Sequence, residues 1–187
     1  YHHQPSRPQR VRIAYSALNT CAVTDDTELS TTTNGADVTT TLLTTHYASG
    51  GFFGKSEHDT VTNSRVEAKF VGSAVYSGGA VGYGTATSIS NTPVLNVTRM
   101  SALYQGGLAG YLNGVAPVSH LFRSKSAGTS SHLANNYVHL VNDGHPHQLG
   151  GLTGYAERTV IENNYVYGDM SNAEISGGVA AMLGTRT

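Results

Sequence analysis

Histidine is the residue type that most readily suggests metal chemistry in this chain of 187 residues, which contains nine histidines. The densest group is His145-Pro146-His147, with His139 and Asp143 nearby. Two histidines separated by one residue point to the same face of an extended strand and can share a metal ion. A zinc site needs three or four ligands, however, and the proline stiffens this segment. The sequence therefore predicts a solvated turn here, with no metal and no cofactor.

Acid–base and nucleophilic catalysis are the next possibilities. Glycoside hydrolysis needs two carboxyl groups roughly 5–10 Å apart. The sequence does not predict an acidic groove, because the candidate carboxylates fall at different positions of the repeat described below: Glu67, Asp143, Glu162, Asp169 and Glu174. The string Glu57-His58-Asp59 combines catalytic residue types, yet neighbours on an extended strand alternate between faces and cannot converge. The single Cys21 has no local histidine partner and is expected to be a buried small side chain. We therefore predict that this segment is not an enzyme.

Composition limits the classes of partner. The 11 Lys and Arg residues against 12 Asp and Glu give a net charge of −1, without the basic stripe that a nucleic-acid partner needs. Charged residues make up only 12% of the chain and glycines number 22, which disfavours a helical bundle. No run approaches the roughly 18 apolar residues of a membrane-spanning helix. With 39% hydrophobic residues, the chain is typical of a folded β protein.

A repeat of about 28 residues organises the chain. Five glycine pairs lie 28, 28, 44 and 27 residues apart, and four of them begin the pattern GGxxG. The glycines concerned are Gly50, Gly51 and Gly54; Gly78, Gly79 and Gly82; Gly106, Gly107 and Gly110; Gly150, Gly151 and Gly154; and Gly177 and Gly178. At offsets of 11, 13 and 16 from the first glycine stand an aliphatic residue, an asparagine and a valine: Val61, Asn63 and Val66; Ile89, Asn91 and Val94; and Ile161, Asn163 and Val166.

The third repeat departs from this spacing. Its 44 residues exceed the repeat by 16, and an added 16 restores the pattern at Leu133, Asn135 and Val138. The third coil therefore carries an insertion of about 16 residues within 112–132. Insertions in repeat proteins often form the binding surface. This one combines apolar residues with cations and so predicts a contact surface of Leu121, Phe122, Arg123 and Lys125. The alternative is a loop that folds back and buries Phe122.

Short β-rich runs between turn residues indicate an all-β, parallel β-solenoid, a β-helix-like stack of about 28-residue coils with one loop insertion. A propeller and a sandwich are the alternatives, although propeller blades are longer, at about 40–50 residues. The paired glycines would allow a positive φ and a close approach of neighbouring coils. The asparagines at offset 13 would adopt the left-handed conformation and form a ladder of side-chain amides.

The chain divides into an N-terminal strand or cap segment, residues 1–21, and a solenoid over residues 22–187. The predicted coils are a degenerate coil near 22–49, then 50–77, 78–105, 106–149 with the insertion, 150–176, and an incomplete coil at 177–187. Because the last repeat stops ten residues after Gly177, we expect the sequence to belong to a longer array. The role of the Thr-rich segment 31–45 stays open.

The strings GGAVGYGTATSISNT, GGLAGYLNG and GGLTGYAERTVIENNYVYGD resemble the GLUG repeat, a motif with a Gly-Leu-x-Gly core followed by an Ile-x-Asn-x-Tyr segment. The resemblance covers roughly residues 48–184. GLUG repeats are found in bacterial surface and secreted proteins, including adhesin-like proteins and the non-catalytic regions of immunoglobulin-A-specific metallopeptidases. The resemblance implies an extracellular or cell-surface location and brings no catalytic residues. The zinc-peptidase motif HExxH is absent from the sequence.

The sequence thus predicts a non-catalytic, extracellular β-solenoid segment of a larger bacterial surface protein, acting in adhesion or as a structural spacer. Its expected partners are other domains of the same longer chain and a host or neighbouring surface protein or glycan. Two alternatives remain: an accessory, substrate-positioning region of a secreted peptidase or polysaccharide-degrading enzyme, and a structural unit of a filament or stalk. A catalytic domain in the full-length gene would favour the first, and further repeats would favour the second.

Overall fold

The computed structural model describes residues 9–13, 32–44, 47–120, 123–126 and 128–184. Every regular element in these residues is a β-strand, and four parallel sheets stack as a β-solenoid with coils of roughly 28 residues. This confirms the predicted fold class. Short β-branched runs between glycine and asparagine turns favour this architecture. A single coil cannot bury its apolar side chains, but stacked coils form a shared core.

Each complete coil contributes one strand to each sheet. Sheet 1 contains six strands: β1 (Gln9–Ile13), β3 (Ala36–Thr44), β7 (Arg65–Gly72), β11 (Pro93–Met100), β17 (Tyr137–Asn142) and β21 (Tyr165–Gly168). Sheet 2 contains β2 (Thr32–Asn34), β6 (Thr60–Thr62), β10 (Ser88–Ser90), β16 (Ser131–Ala134) and β20 (Thr159–Glu162). Sheet 3 contains β4 (Ala48–Gly50), β8 (Tyr76–Gly78), β12 (Tyr104–Gly106), β18 (Gln148–Gly150) and β22 (Ile175–Gly177). Sheet 4 contains β5 (Phe53–Glu57), β9 (Val81–Thr85), β13 (Ala109–Asn113), β19 (Thr153–Ala156) and β23 (Ala180–Leu183).

The register follows the sequence repeat through every coil. In sheet 1, Val66 pairs with Val94 and Val94 pairs with Val138, so the 44-residue spacing leaves the stack unbroken. The extra residues form an antiparallel hairpin of β14 (Val118–His120) and β15 (Arg123–Ser126). The insertion predicted within the third coil is therefore confirmed, and the coils on either side of it keep their register.

The core runs along the solenoid axis as ladders of aliphatic side chains. Val61, Ile89 and Leu133 are completely buried and succeed one another in sheet 2, as their common offset predicts. The largest buried side chain is that of Phe70. Because strands in a sheet are about 4.8 Å apart, each aliphatic side chain contacts the equivalent one in the next coil.

The sequence suggested two roles for the paired glycines, a positive φ and a close approach of neighbouring coils, and the structure shows the close approach. Among the described glycines, positive φ angles occur at Gly35 and Gly72 and not in the pairs. In the first four pairs, the second glycine instead lacks room for a side chain. A Cβ on Gly107 would lie 2.1 Å from the carbonyl oxygen of Gly151 and 2.4 Å from a methyl carbon of Val138. Close approach between coils, rather than backbone conformation, therefore requires glycine here.

The asparagines at offset 13 adopt the left-handed conformation predicted for them, with φ angles of 50, 49, 57 and 53° at Asn63, Asn91, Asn135 and Asn163. One side-chain contact joins this row to the preceding coil, a 3.3 Å hydrogen bond from Asn63 to Asn34. The more extensive polar ladder lies one residue later, where the residue types vary. There Ser64 Oγ accepts the backbone N–H of Ala36, and Asn136 Oδ1 accepts that of Thr92.

The two ends of the stack differ. At the N-terminal end, β1 lies parallel to β3, with Val11 paired to Val38, and forms the edge of sheet 1. At the other end, β20, β21, β22 and β23 are edge strands of their sheets in the described part of the chain. Residues that would face a following coil are exposed there, including Ile175 at 40% and Val179 at 49%. Their counterparts one coil earlier, Gln148 and Leu152, are buried.

Candidate binding surfaces

The hairpin of β14 and β15 carries part of the predicted insertion surface. Val115 and Thr129 close its base with two backbone hydrogen bonds of 2.7 and 3.0 Å. Arg123 and Lys125 lie on β15, whereas Leu121 and Phe122 lie outside the described residues. The hairpin therefore holds two of the four predicted contact residues on an ordered strand, and its role as a contact surface stays a prediction.

The structure does not bring together the side chains of Glu57-His58-Asp59, or those of His145 and His147, into a common site. Glu57 pairs with Lys55 on the surface, at 3.6 Å, whereas Asp59 is buried and accepts a 2.6 Å hydrogen bond from Ser56. His147 contacts the carboxylate of Glu174 instead of joining His145. Within the described residues, no group of three or more His, Cys, Asp or Glu side chains is placed to hold a metal ion.

A tyrosine wall covers the outside of sheets 3 and 4. Its members are Tyr47, Tyr76, Tyr83, Tyr104, Tyr111 and Tyr155. Tyr111 stacks between Tyr83 and Tyr155, with ring centroids 4.9 and 4.6 Å apart and planes within 12° of parallel. Tyr76 and Tyr104 form a second stack and meet the first edge to face. Because the ring faces are used against each other, this wall stabilises the stack more than it offers surface to a ligand.

Burial raises the pKa of Tyr111 to about 12, and the neighbouring Tyr155 and Tyr83 add to the shift. Burial also raises the pKa of Tyr76, helped by a hydrogen bond with Tyr47. In the unfolded chain these phenols would titrate at their ordinary pKa near 10. Their contribution to stability is therefore complete below pH 10 and is lost as the pH rises toward 12.

We expect the melting temperature to fall steadily between pH 10 and pH 12, because the unfolded chain ionises its tyrosines first. Calorimetry across this range, with absorbance at 295 nm to follow phenolate, is the measurement. Tyr111→Phe should reduce the slope, since it removes one shifted phenol and keeps the stacked ring. An unchanged slope in Tyr111→Phe, or a melting temperature that stays constant across the range, would contradict this assignment.

A second candidate surface lies on the outside of sheet 1. The outer face of sheet 1 consists of the outward-pointing residues of five successive strands: Asp37, Thr39 and Thr41; Arg65, Glu67 and Lys69; Pro93, Leu95 and Val97; Tyr137, His139 and Val141; and Tyr165 and Tyr167. They alternate with buried residues such as Val66 and Phe70, as in any half-buried sheet. Along the axis the face changes from charged to apolar to aromatic.

The charged part of the outer face is internally balanced. Arg65 contacts Asp37 at 3.1 Å and also contacts Glu67. Partial burial lowers the pKa of Arg65, but hydrogen bonds and attraction from Asp37 and Glu67 outweigh it and raise the pKa overall. The guanidinium therefore stays charged and is held in place by two carboxylates from adjacent positions.

The aromatic part is the most exposed. Tyr137, Tyr165 and Tyr167 expose 48, 58 and 60% of their surface. Tyr137 and Tyr165 stack at 5.3 Å with planes 6° apart, and His139 lies 5.2 Å from Tyr167. Large exposed aromatic side chains beside charged ones are typical of binding surfaces.

Two shallow grooves cross this face. The first, of about 190 Å³, lies between Arg65 and Glu67 on one side and Tyr137 and His139 on the other, above Pro93 and Leu95. The second, of about 160 Å³, continues toward the N-terminal end and is lined by Thr39, Thr41, Glu67, Lys69, Leu95 and Val97. Glu67 and Leu95 line both grooves, so together they form one track along the solenoid axis.

Sequence reasoning missed this face, although a pattern for it exists. The string Asn135-Asn136-Tyr137-Val138 repeats at Asn163-Asn164-Tyr165-Val166. Since the valines point inward, the residues one position before and after them must point outward. Reading those outward positions in every coil would have placed Tyr137, His139, Tyr165 and Tyr167 on one surface.

The described residues contain no helix that is long and apolar enough to cross a membrane. No protein-family model, curated protein or solved structure gives a significant match to this chain. The similarity to GLUG repeats consequently rests on the sequence strings themselves, and the function has to be argued from the surfaces described above.

Proposed function

We propose that this chain is a non-catalytic β-solenoid segment of a larger extracellular or cell-surface protein, and that it acts in adhesion or as a structural spacer. Its binding partner would be a glycan or protein of a host or neighbouring surface. The extracellular location is suggested by the resemblance to GLUG repeats. The carrying observation is the outer face of sheet 1, where exposed aromatic and paired charged side chains lie on an unbroken stack of coils.

The rigidity of sheet 1 favours binding on its outer face. Tyr137, His139, Tyr165 and Tyr167 lie on strands that are hydrogen-bonded in register to their neighbours. A side chain on such a strand loses little backbone freedom when it binds a ligand, so more of the contact energy becomes affinity. A stiff stack of coils also keeps a binding face at a fixed distance from whatever the chain is attached to.

The test is a binding assay on arrays of glycans and of host and bacterial surface proteins. Tyr137→Ser, Tyr165→Ser and Tyr167→Ser combined should reduce binding at least about tenfold, because buried aromatic contacts dominate such interfaces. Tyr47→Ser is the matched control, since Tyr47 is equally exposed at 60% but lies on the tyrosine wall. A deletion of residues 114–130 tests the hairpin as the competing binding surface.

The outcomes separate the alternatives. Binding that is lost only in the deletion variant would assign adhesion to the hairpin. The absence of binding to any glycan or protein would contradict adhesion and leave the spacer role. Turnover of an array ligand by the purified chain would overturn the non-catalytic assignment.

A further inference from the structure

We infer that the first groove on the outer face of sheet 1 is a binding slot for one pyranose ring of a neutral, linear glycan, and that the second groove holds the adjoining sugar. This inference deepens the proposed function and rests on it. We call the first groove, between Arg65 and Tyr137, the ring slot.

The ring slot exists because one coil contributes a short side chain. Three equivalent outward positions begin successive strands of sheet 1, and they hold Arg65, Pro93 and Tyr137. Pro93 pairs with Tyr137. Arg65 lies opposite Pro93, because the next residues of the two strands, Val66 and Val94, are paired. The long side chains of Arg65 and Tyr137 thus stand on either side of the compact Pro93. A gap of one strand is left open between them.

The walls of the slot suit a ring. Tyr165 stacks on one face of Tyr137, so the opposite face of the Tyr137 ring points toward the slot. The guanidinium of Arg65, held by Asp37 and Glu67, forms the other wall. The negative face of an aromatic ring attracts the polarised C–H groups of a sugar ring, and the guanidinium can donate hydrogen bonds to the sugar's hydroxyl oxygens.

The width favours a puckered ring over a flat one. Two strand spacings separate Arg65 from Tyr137, about 9.6 Å. Contact on both faces of an inserted ring needs about 3.5–4.0 Å on each side, which leaves space that a flat aromatic ring would not fill. The groove volume of about 190 Å³ is below the roughly 300–1,000 Å³ of pockets for larger ligands, and is of a size for one substituted six-membered ring.

The rim provides the hydrogen-bonding groups that hydroxyls need. Glu67 supplies acceptors, Arg65 supplies donors, and His139 can supply either. An apolar side chain such as Phe would bury these groups without partners, at a cost in free energy, whereas a sugar would satisfy them. An extended peptide would gain no backbone pairing on the face of a sheet, because the strand edges are already occupied.

The charge balance and the second groove define the rest of the ligand. Arg65 is paired with Asp37 and Glu67, and Lys69 lines the second groove. The two cations and two carboxylates of this part of the face cancel, so it has no net charge to attract an acidic polymer. Thr39 and Thr41 add hydroxyls along the second groove. A linear, uncharged oligosaccharide matches both the polarity and the direction of this track.

The experiment is calorimetric titration of the purified chain with cellotetraose, maltotetraose, mannotetraose and chitotetraose. We expect at least one to bind with a dissociation constant on the order of 0.1 mM, as a shallow site with few contacts allows. The decisive variant is Pro93→Tyr, which would extend the Tyr137–Tyr165 stack into the slot and cover the face of Tyr137 that a sugar would need. It should weaken binding by at least about tenfold while the melting temperature is maintained or raised.

Two further variants separate stacking from folding. Tyr137→Phe should keep the affinity within about threefold because the ring remains, and Tyr137→Leu should lose at least about tenfold. Tyr47→Leu, on the tyrosine wall, should have no effect on binding. Full affinity in Pro93→Tyr would overturn the ring slot, as would the failure of all four tetrasaccharides to bind.

Other results would overturn the sugar class specifically. Binding confined to acidic glycans and abolished by salt would refute the neutral ligand. Binding of a proline-rich or aromatic peptide that Pro93→Tyr blocks would assign the slot to a protein partner. If the array ligands of the adhesion assay still bind to Pro93→Tyr, the ring slot is wrong while the adhesive function stands.

Discussion

Gly107→Ala should prevent folding or reduce the free energy of unfolding by about 3 kcal/mol or more, an effect at the upper end for overpacked sites. The added Cβ would lie 2.1 Å from the Gly151 carbonyl oxygen and 2.4 Å from Val138. Neither contact involves the end of a flexible side chain: the oxygen belongs to the next coil's backbone and Val138 is completely buried. The two coils would have to separate, and the pairing of sheet 3 beside Gly107 would be lost.

Gly178→Ala is the matched control for Gly107→Ala. Gly178 is also the second glycine of a pair, but it lies in the last described coil and a Cβ there would meet nothing within 4 Å. Alanine restricts the unfolded chain, so this variant should be neutral or stabilised by up to about 1 kcal/mol. Urea denaturation followed by circular dichroism measures both variants. Equal effects of the two substitutions would show that coil contact is not what requires glycine.

Asn136→Ala should cost about 3 kcal/mol of stability, because it leaves two buried backbone groups without partners. Asn136 is 2% exposed. Its Oδ1 accepts the N–H of Thr92 at 3.1 Å, and its Nδ2 donates to the carbonyl oxygen of Ile89 at 2.9 Å. It also donates to Asn164 Oδ1 at 3.0 Å, so the side chain ties three coils together.

Asn164→Ala provides the comparison at the partly exposed end of the same ladder. Asn164 donates to the carbonyl oxygens of Leu133 and Glu162, and its Oδ1 accepts from Asn136. Because Asn164 is only half-buried, water can replace most of these hydrogen bonds. The expected cost is therefore nearer 1 kcal/mol. Thermal and urea denaturation of both variants give the difference. A smaller loss for Asn136→Ala than for Asn164→Ala would contradict the role given to the buried amide.

The fold was predictable because a solenoid places the same physical demand on the same position of every coil. The aliphatic residue at offset 11 must fill the core, and the asparagine at offset 13 must adopt a positive φ, so both types recur. The insertion could be located for the same reason, because the expected aliphatic residue and asparagine recur after it at Leu133 and Asn135.

The rest could not be seen by looking for identical residues. Ser64, Asn136 and Asn164 share the ability to accept a backbone N–H from the preceding coil, which the residue letters do not reveal. The outer face is even less constrained, because each outward residue meets solvent. The ring slot arises because one coil has Pro93 where the next coil has Tyr137. A search for residues that repeat does not detect such a difference between coils.

The pairing of successive coils through parallel strands has a mechanical consequence. A pulling force applied through the chain would load the hydrogen bonds between neighbouring coils, since each coil is paired strand by strand with the next. Coils would peel away one at a time instead of yielding together. Each coil of roughly 28 residues would release about 90–100 Å of extended chain. A stack of this kind under load would act as an extensible tether that dissipates force in steps while the remaining coils keep their surface intact.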